Sequence, residues 1–163
     1  MAGYETHVHE IDPVYDAGSR ILILGSFPSV KSREQKFFYG HPQNRFWKVI
    51  ASVTGSPVPV TVEEKKEMLL GNHIALWDVI QSCDIEGSSD ASIKNVVPNP
   101  ISDIIAKTQI RTIYGNGAKA CALYDKYVSP STGIPIHRLP STSPANAAYS
   151  FERLSEEWAV IIN

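Results

Sequence analysis

RILILG, Arg20–Gly25, is the stretch on which the fold turns. Four consecutive Ile and Leu residues halted by a glycine make a short, unbroken apolar run, the pattern of a strand covered on both faces as in a parallel α/β sheet. Polar GSFPS (Gly25–Ser29) follows at once and leads into FFYGHPQNRFW (Phe37–Trp47). Far along the chain another apolar run, IPIHRL (Ile134–Leu139), breaks in the same way into LPSTSPAN (Leu139–Asn146). Open α/β sheets place their ligand crevice where such runs end.

Working outward from that strand, Asn44–Thr54 carries Phe46, Trp47, Val49, Ile50 and Val53 at helical spacing before Gly55 and two prolines stop it. Thr61 starts a second helix, with Glu64 three residues on as a capping box, ending near Gly71. HIALWDVI (His73–Ile80) reads as a second buried strand, and Ser82–Asn99, rich in Ser, Asp, Gly and Pro, as a long ordered loop. Ser102 is placed to cap a short helix through Lys107, and IRTIY (Ile110–Tyr114) is the third strand. GNG at Gly115–Gly117 turns into a helix through about Tyr127; Ile134–Leu139 is the fourth strand, and Tyr149–Ile162 a closing amphipathic helix. Strand and helix alternate throughout. The expected fold is therefore α/β, a three-layer α/β/α sandwich with a four-stranded, mainly parallel sheet, in one domain over residues 1–163.

With 163 residues, 43% of them hydrophobic, the chain can fill one ordinary core. No stretch approaches the ~20 apolar residues of a membrane helix, and the first residues lack a basic and an apolar leader region. An intracellular protein with no membrane partner is expected. Cys83 and Cys121 stand apart from each other and from any C-x-x-C spacing, which argues against a disulfide framework, a structural zinc site and a four-thiolate cluster. The formal net charge of -2 does not advertise nucleic-acid binding. Its distribution is uneven, however. Lys31, Arg33, Lys36, Arg45 and Lys48 lie within or beside the first motif, while acids gather at Glu63, Glu64, Glu67 and at Glu152, Glu156, Glu157, so a local basic rim can hold phosphates.

If the sheet is parallel, GSFPS, the bend after Asp78, GNG and LPSTSPAN emerge on one edge and make one site. Asn44, at a helix start, is either a plain cap or an amide that orients water or meets a sugar–base junction. Phe38 and Tyr39 before it supply rings on which a flat heterocycle could stack, with core packing as the alternative. Phe46 and Trp47, on the helix stripe, read as core. Asp78, in an apolar strand, needs a partner or a task; ionised, it can accept an N–H from a base edge. GNG is either a phosphate cradle at a helix start or a tight strand-to-helix turn, and His137–Arg138 either touch phosphate beside the site or form a plain surface pair. The hydroxyls and prolines of LPSTSPAN form a compact loop able to donate to phosphates or press into a groove.

GHPQNRFWKVI (Gly40–Ile50), GSFPS and LPSTSPAN together resemble the two signature loops of the uracil-DNA glycosylase superfamily, closest to its hypoxanthine-DNA glycosylase (deoxyinosine glycosylase) branch, over nearly the whole chain. The resemblance implies a monofunctional glycosylase that hydrolyses the N-glycosidic bond of a deaminated base, hypoxanthine preferred and uracil or xanthine also considered, in base excision repair. It implies Asn44 as the catalytic residue and Ser26, Phe27, Phe38, Tyr39 and Asp78 around the base, the backbone N–H groups near Ser26 and Phe27 stabilising the departing anion. It implies Lys36, His41, Arg45, Pro140, Ser141, Thr142, Ser143 and Asn146 against DNA. Phe27 stands where several branches place an acidic or amide residue, Leu139 where the uracil-specific branch has a histidine, and Asp78 where that branch keeps an asparagine. These departures weigh against strong uracil activity. The expected partner is double-stranded DNA holding a deaminated base, bound by a monomer, with no metal and no cofactor. Two rivals are a nucleosidase acting on free nucleosides and a noncatalytic damaged-DNA-binding module.

Overall fold

The computed structural model describes residues 4–9, 11–27, 32, 34, 36–86 and 92–162. Of the motif residues above, Pro28, Ser29, Lys31 and Arg33 lie outside them.

The run Ile21–Gly25 is β2, and Leu22, Ile23 and Leu24 are fully buried, as a strand with both faces covered requires. It pairs in parallel with β3 (Ile74–Asp78) on one side and β6 (Thr112–Asn116) on the other, and β6 pairs with β7 (Ile136–Leu139). The resulting sheet, in the order β3-β2-β6-β7, is parallel throughout. β3 would be an open edge, but Val14 covers it through reciprocal backbone hydrogen bonds with Leu76, each 2.9 Å. The registers Gly25↔Asp78 and Asn116↔Leu139 bring the C-terminal ends of all four strands to one edge.

Helices flank this sheet. α1 (Phe46–Thr54) buries Phe46, Trp47, Val49 and Ile50, and ends at Gly55 in the left-handed region (φ 69), where Ser56 N–H returns to the Ala51 carbonyl. α2 (Val62–Gly71) has the capping box its sequence predicts: Glu64 N–H donates to Thr61 Oγ1 at 3.1 Å and Thr61 N–H to Glu64 Oε1 at 3.0 Å. α3 (Ile101–Lys107) and α4 (Ala118–Tyr127) follow, the latter leading into the single turn α5 (Ser129–Thr132). α3 differs from expectation at its start, for Pro100 occupies the cap position and Ser102 makes no cap bond. α6 (Phe151–Trp158) packs its buried Leu154 and Trp158 toward α1, and Trp158 meets Phe46 edge to face at 5.8 Å. The closing helix is shorter than its amphipathic pattern implies, tightening into a 3₁₀ turn over Ala159–Ile162.

A second sheet was not legible as such. β1 (Tyr4–Val8), β4 (Ile80–Glu86) and β5 (Lys94–Pro98) form an antiparallel sheet in the order β1-β4-β5. The stretch expected to be one strand over His73–Ile80 breaks at Val79 and re-forms as β4. Most of the expected loop over Ser82–Asn99 is the β4 and β5 hairpin. The reason lies in its irregularity: β4 and β5 shift register twice, and both flanks are polar, so no clean alternation reaches the sequence. Asn99 secures the crossing from one sheet to the other, donating its amide to the carbonyls of Asp78 (2.9 Å) and Ile80 (3.2 Å).

Candidate active site

The ends of β2, β3 and β6 and the loop after β7 surround a crevice of about 240 Å³, smaller than the ~300–1,000 Å³ of sites for drug-sized ligands and scaled to a single heterocycle. Ser26, Phe27, Tyr39, His41, Asn44 and Asp78 line it from the first half of the chain. Asn116 and Ser141–Pro144 line it from the second. Among the described residues no lysine does.

The two motif loops are bonded to each other. Arg45 N–H donates to the Thr142 carbonyl at 3.1 Å, and the Arg45 guanidinium donates to the carbonyls of Ser143 (2.9 Å), Asn146 (3.1 Å) and Tyr149. Arg45 is thereby corrected as a phosphate contact, because its charge is turned inward to clamp the second loop. Thr142 is corrected likewise: it is fully buried and has no surface to offer DNA.

The Thr142 side chain instead links two amides. Thr142 N–H donates to Asn116 Oδ1 and Asn116 Nδ2 donates to Thr142 Oγ1, both at 3.0 Å, while Thr142 Oγ1–H donates to Asn44 Oδ1 at 2.9 Å. Phe46 N–H donates to the same Oδ1 at 2.9 Å. A backbone N–H can only donate, so the two ends of this chain settle every orientation within it. Asn44 therefore has both lone pairs of its oxygen engaged, and its NH₂ has no partner among the described residues. What Asn44 can offer the crevice is a donor.

The opposite wall is built on Asp78. Its Oδ2 receives the Nε2–H of His9 at 2.8 Å, and both side chains are almost wholly buried. Gly25 lies beneath the carboxylate and makes the approach feasible, since a Cβ there would sit 2.3 Å from Asp78 Oδ1 and 3.0 Å from the Tyr39 hydroxyl. That hydroxyl is buried and meets no hydrogen-bond partner at bonding geometry among the described residues, Asn116 being its nearest polar neighbour. Burial, reinforced by the Asp78 carboxylate, pushes the Tyr39 phenol far above its usual range, so it stays a neutral O–H. The Tyr39 ring stacks on Phe46 at 4.2 Å, which occupies one of its faces.

Other expected residues take varied places. Phe38 touches the crevice but is only 2% exposed, its ring packed on Phe37 and His9, so it presents little stacking face; Phe27 is the more open ring. His41 lines the lip, its Nδ1 accepting Gln43 N–H at 3.1 Å. Lys36 is exposed and stands outside the crevice lining. Ser141 Oγ accepts Ser143 N–H and Ser143 Oγ accepts Ala145 N–H, each at 3.1 Å, so the loop's hydroxyls cap its own turns. Pro140 and Asn146 border a neighbouring cavity on the outer side of that loop; the Pro140 carbonyl holds the Trp158 indole, and the Asn146 amide the Ser141 carbonyl. Cys83 is buried, and His137 and Arg138 are exposed, as their sequence contexts indicate. Among the described residues no helix is long and apolar enough to cross a membrane.

Sequence reasoning missed two residues of this site, His9 and Asn116. Asn116 was findable: a polar residue at the C-terminal end of a central parallel strand belongs to the crevice edge. His9 carries no comparable signal, since the strand that delivers it is itself hidden.

Known proteins agree with this geometry. A curated hypoxanthine DNA glycosylase of Methanosarcina acetivorans is 37% identical over 149 residues, covering 90% of this chain and 93% of the relative. One from Methanosarcina barkeri is 38% identical over 91 residues, covering 55% of this chain and 58% of the relative. A Methanosarcina acetivorans protein solved by solution NMR matches the fold with a TM-score of 0.80 at 34% identity, covering 93% of this chain and 94% of its own. The family model of the uracil DNA glycosylase superfamily spans residues 13–162, from the strand-covering segment to the closing turn. A crevice at the joined ends of a parallel sheet, two loops clamped across it, and a family match that takes in all of these elements place this chain in the uracil DNA glycosylase superfamily.

Proposed function

We propose that this protein is a monofunctional DNA glycosylase that hydrolyses the N-glycosidic bond of a deaminated base, hypoxanthine foremost, in duplex DNA, acting as a monomer. One observation carries the reading: the 2.9 Å hydrogen bond from Thr142 to Asn44, which joins the two motif loops at one lip of a base-sized crevice. A deaminated base is already badly paired, so extruding it costs less than the few kcal/mol of a sound pair.

In the reaction the bond from C1′ to the base nitrogen breaks, the oxygen of water bonds to C1′, and a proton from that water ends on the departing base. Negative charge grows on the base as the bond lengthens. The Asn44 NH₂ donates toward that charge, held in place before the reaction by Thr142 and Phe46, so little reorganisation is needed. Asn44 does not take the water's proton, because its oxygen has no lone pair to spare. Phe27 offers the open ring against which the base lies. The absence of a crevice lysine among the described residues favours hydrolysis over a Schiff-base route.

Wild type and Asn44→Ala are to be incubated, with chelator present, against duplexes bearing hypoxanthine, uracil or xanthine, and abasic sites counted. Wild type should release hypoxanthine, and the variant should be slower by ~10²–10³-fold, the loss typical of one charge-stabilising donor. Binding to lesion duplex without release by wild type would instead establish the binding-module alternative, and faster action on a free nucleoside the nucleosidase.

A further inference from the structure

Two groups at the bottom of the crevice have no role in the bond-breaking described above: the buried His9–Asp78 pair and the unsatisfied Tyr39 hydroxyl. A buried polar atom without a partner is uncommon enough to call for a reason, and this one lies beside a carboxylate over the same glycine.

The state of the pair follows from its neighbours. Ile11 N–H donates to His9 Nδ1 at 3.2 Å, so that nitrogen carries the lone pair and the proton sits on Nε2, where it is given to Asp78 Oδ2. Phe27, Phe38 and Trp77 surround the imidazole with ring centroids 6.1–6.3 Å away, and among the described residues Nε2 has no partner but Asp78. Oδ2 is thereby occupied. Oδ1 is left as an acceptor that receives no hydrogen bond among the described residues, and the Tyr39 O–H is a donor in the same corner.

Resting on the glycosylase reading, we propose that His9 is a positioning residue which fixes Asp78 so that Oδ1 and the Tyr39 hydroxyl together read a lactam edge, a ring N–H next to a carbonyl. Deamination of adenine or cytosine creates that edge: it replaces an exocyclic amino group by oxygen and leaves the adjoining ring nitrogen protonated. Hypoxanthine, uracil and xanthine share it with guanine and thymine, so what this corner turns away is adenine and cytosine. Adenine in the same pose would aim an unprotonated ring nitrogen at a carboxylate oxygen that can only accept, leaving two lone pairs opposed in a dry site. Sites built to bond a substrate N–H or O–H discriminate strongly against analogues that lack it, because their own buried groups go unpaired.

The test is single-turnover base release from duplexes carrying deoxyinosine or deoxynebularine, the latter lacking both the 6-oxygen and the N1 proton. The quantity read is the ratio of the two rates. His9→Leu and Tyr39→Phe should each lower the preference for deoxyinosine by about tenfold or more, by slowing the deoxyinosine reaction while sparing deoxynebularine. His9→Gln, whose amide can still donate to Oδ2, should keep most of the preference. Should His9→Leu fail to fold, Tyr39→Phe decides alone, since it removes one oxygen from a stacked ring. Equal slowing of both substrates with an unchanged ratio overturns the reader, as does a ratio lost equally in His9→Gln and His9→Leu. No release from any lesion by wild type would refute the glycosylase reading itself, a separate outcome.

Discussion

The crevice has two walls of opposite character. On the wall of Asn44, Thr142 and Asn116, neutral amides and a hydroxyl are bonded to one another and fix the Asn44 oxygen, leaving its NH₂ for the ligand. On the wall of Asp78 and Tyr39, a buried carboxylate and a buried hydroxyl keep an acceptor and a donor unspent. A bonded network holds its atoms in one place at little cost, which suits a group that must meet a transition state without moving. An unsaturated corner is costly when empty and favourable when filled, which suits recognition. On the proposed reading the two walls divide the work: one acts on the glycosidic bond, the other favours a base whose edge offers an N–H.

Gly25→Ala should have the largest effect on the recognition wall, since the new Cβ would lie 2.3 Å from Asp78 Oδ1 and must displace it. A displacement near 1 Å costs on the order of 10²-fold in rate. Single-turnover release from deoxyinosine duplex should fall by that much while binding to undamaged duplex is unaltered; weakened binding to both would show that the glycine serves the fold instead.

Arg45→Ala attacks the clamp that supports the other wall. Hydrogen bonds from a charged donor contribute ~1.5–3 kcal/mol each when buried, and this guanidinium is partly exposed, so a loss of about 2–3 kcal/mol for the set is expected in urea melts. Base release should slow with it. A variant of undiminished stability would mean the second loop holds itself through its serine turns. Thr142→Val keeps the volume but removes the link to Asn44; release should slow about tenfold, with the deoxyinosine preference intact because the recognition wall is untouched. A change in preference would merge the two walls into one unit.

Thr61→Ala, far from both walls, should cost about 1 kcal/mol of stability through the lost cap and leave base release unchanged. Its partner Glu64 is held below the usual carboxylate range by the N–H groups of Thr61 and Val60. A depressed folded-state value means that the box stabilises above the ordinary carboxylate pKa and fades as pH falls through the lowered one. The penalty of Glu64→Ala, which removes the carboxylate that those N–H groups hold, should accordingly shrink in acid.

The parallel sheet, its helices and the meeting of the two motif loops were legible in the sequence, because buried parallel strands leave unbroken apolar runs and crevice loops must follow them. The capping box at Thr61 and Glu64 was readable residue by residue. The antiparallel sheet was not: β1 is mostly exposed and β4 is bulged, so neither imposes a clean period on its residues. His9 went unseen for that reason, although Asp78, its partner, was singled out as a carboxylate in need of one. Arg45 and Thr142 were found but misjudged. A guanidinium and a hydroxyl in a loop look the same in sequence whether they face phosphate or face inward, and only the path of the second loop decides between them.

In the proposed reaction Asn44 serves as a hydrogen-bond donor. Asn44→Asp tests it most directly, since the carboxylate matches the amide in shape and can still accept from Thr142 and Phe46 but has no N–H to give. Single-turnover release of hypoxanthine by Asn44→Asp should be as slow as by Asn44→Ala, down ~10²–10³-fold with folding intact. Release by Asn44→Asp near the wild-type rate, or faster, would contradict the account and make residue 44 an acceptor for the attacking water.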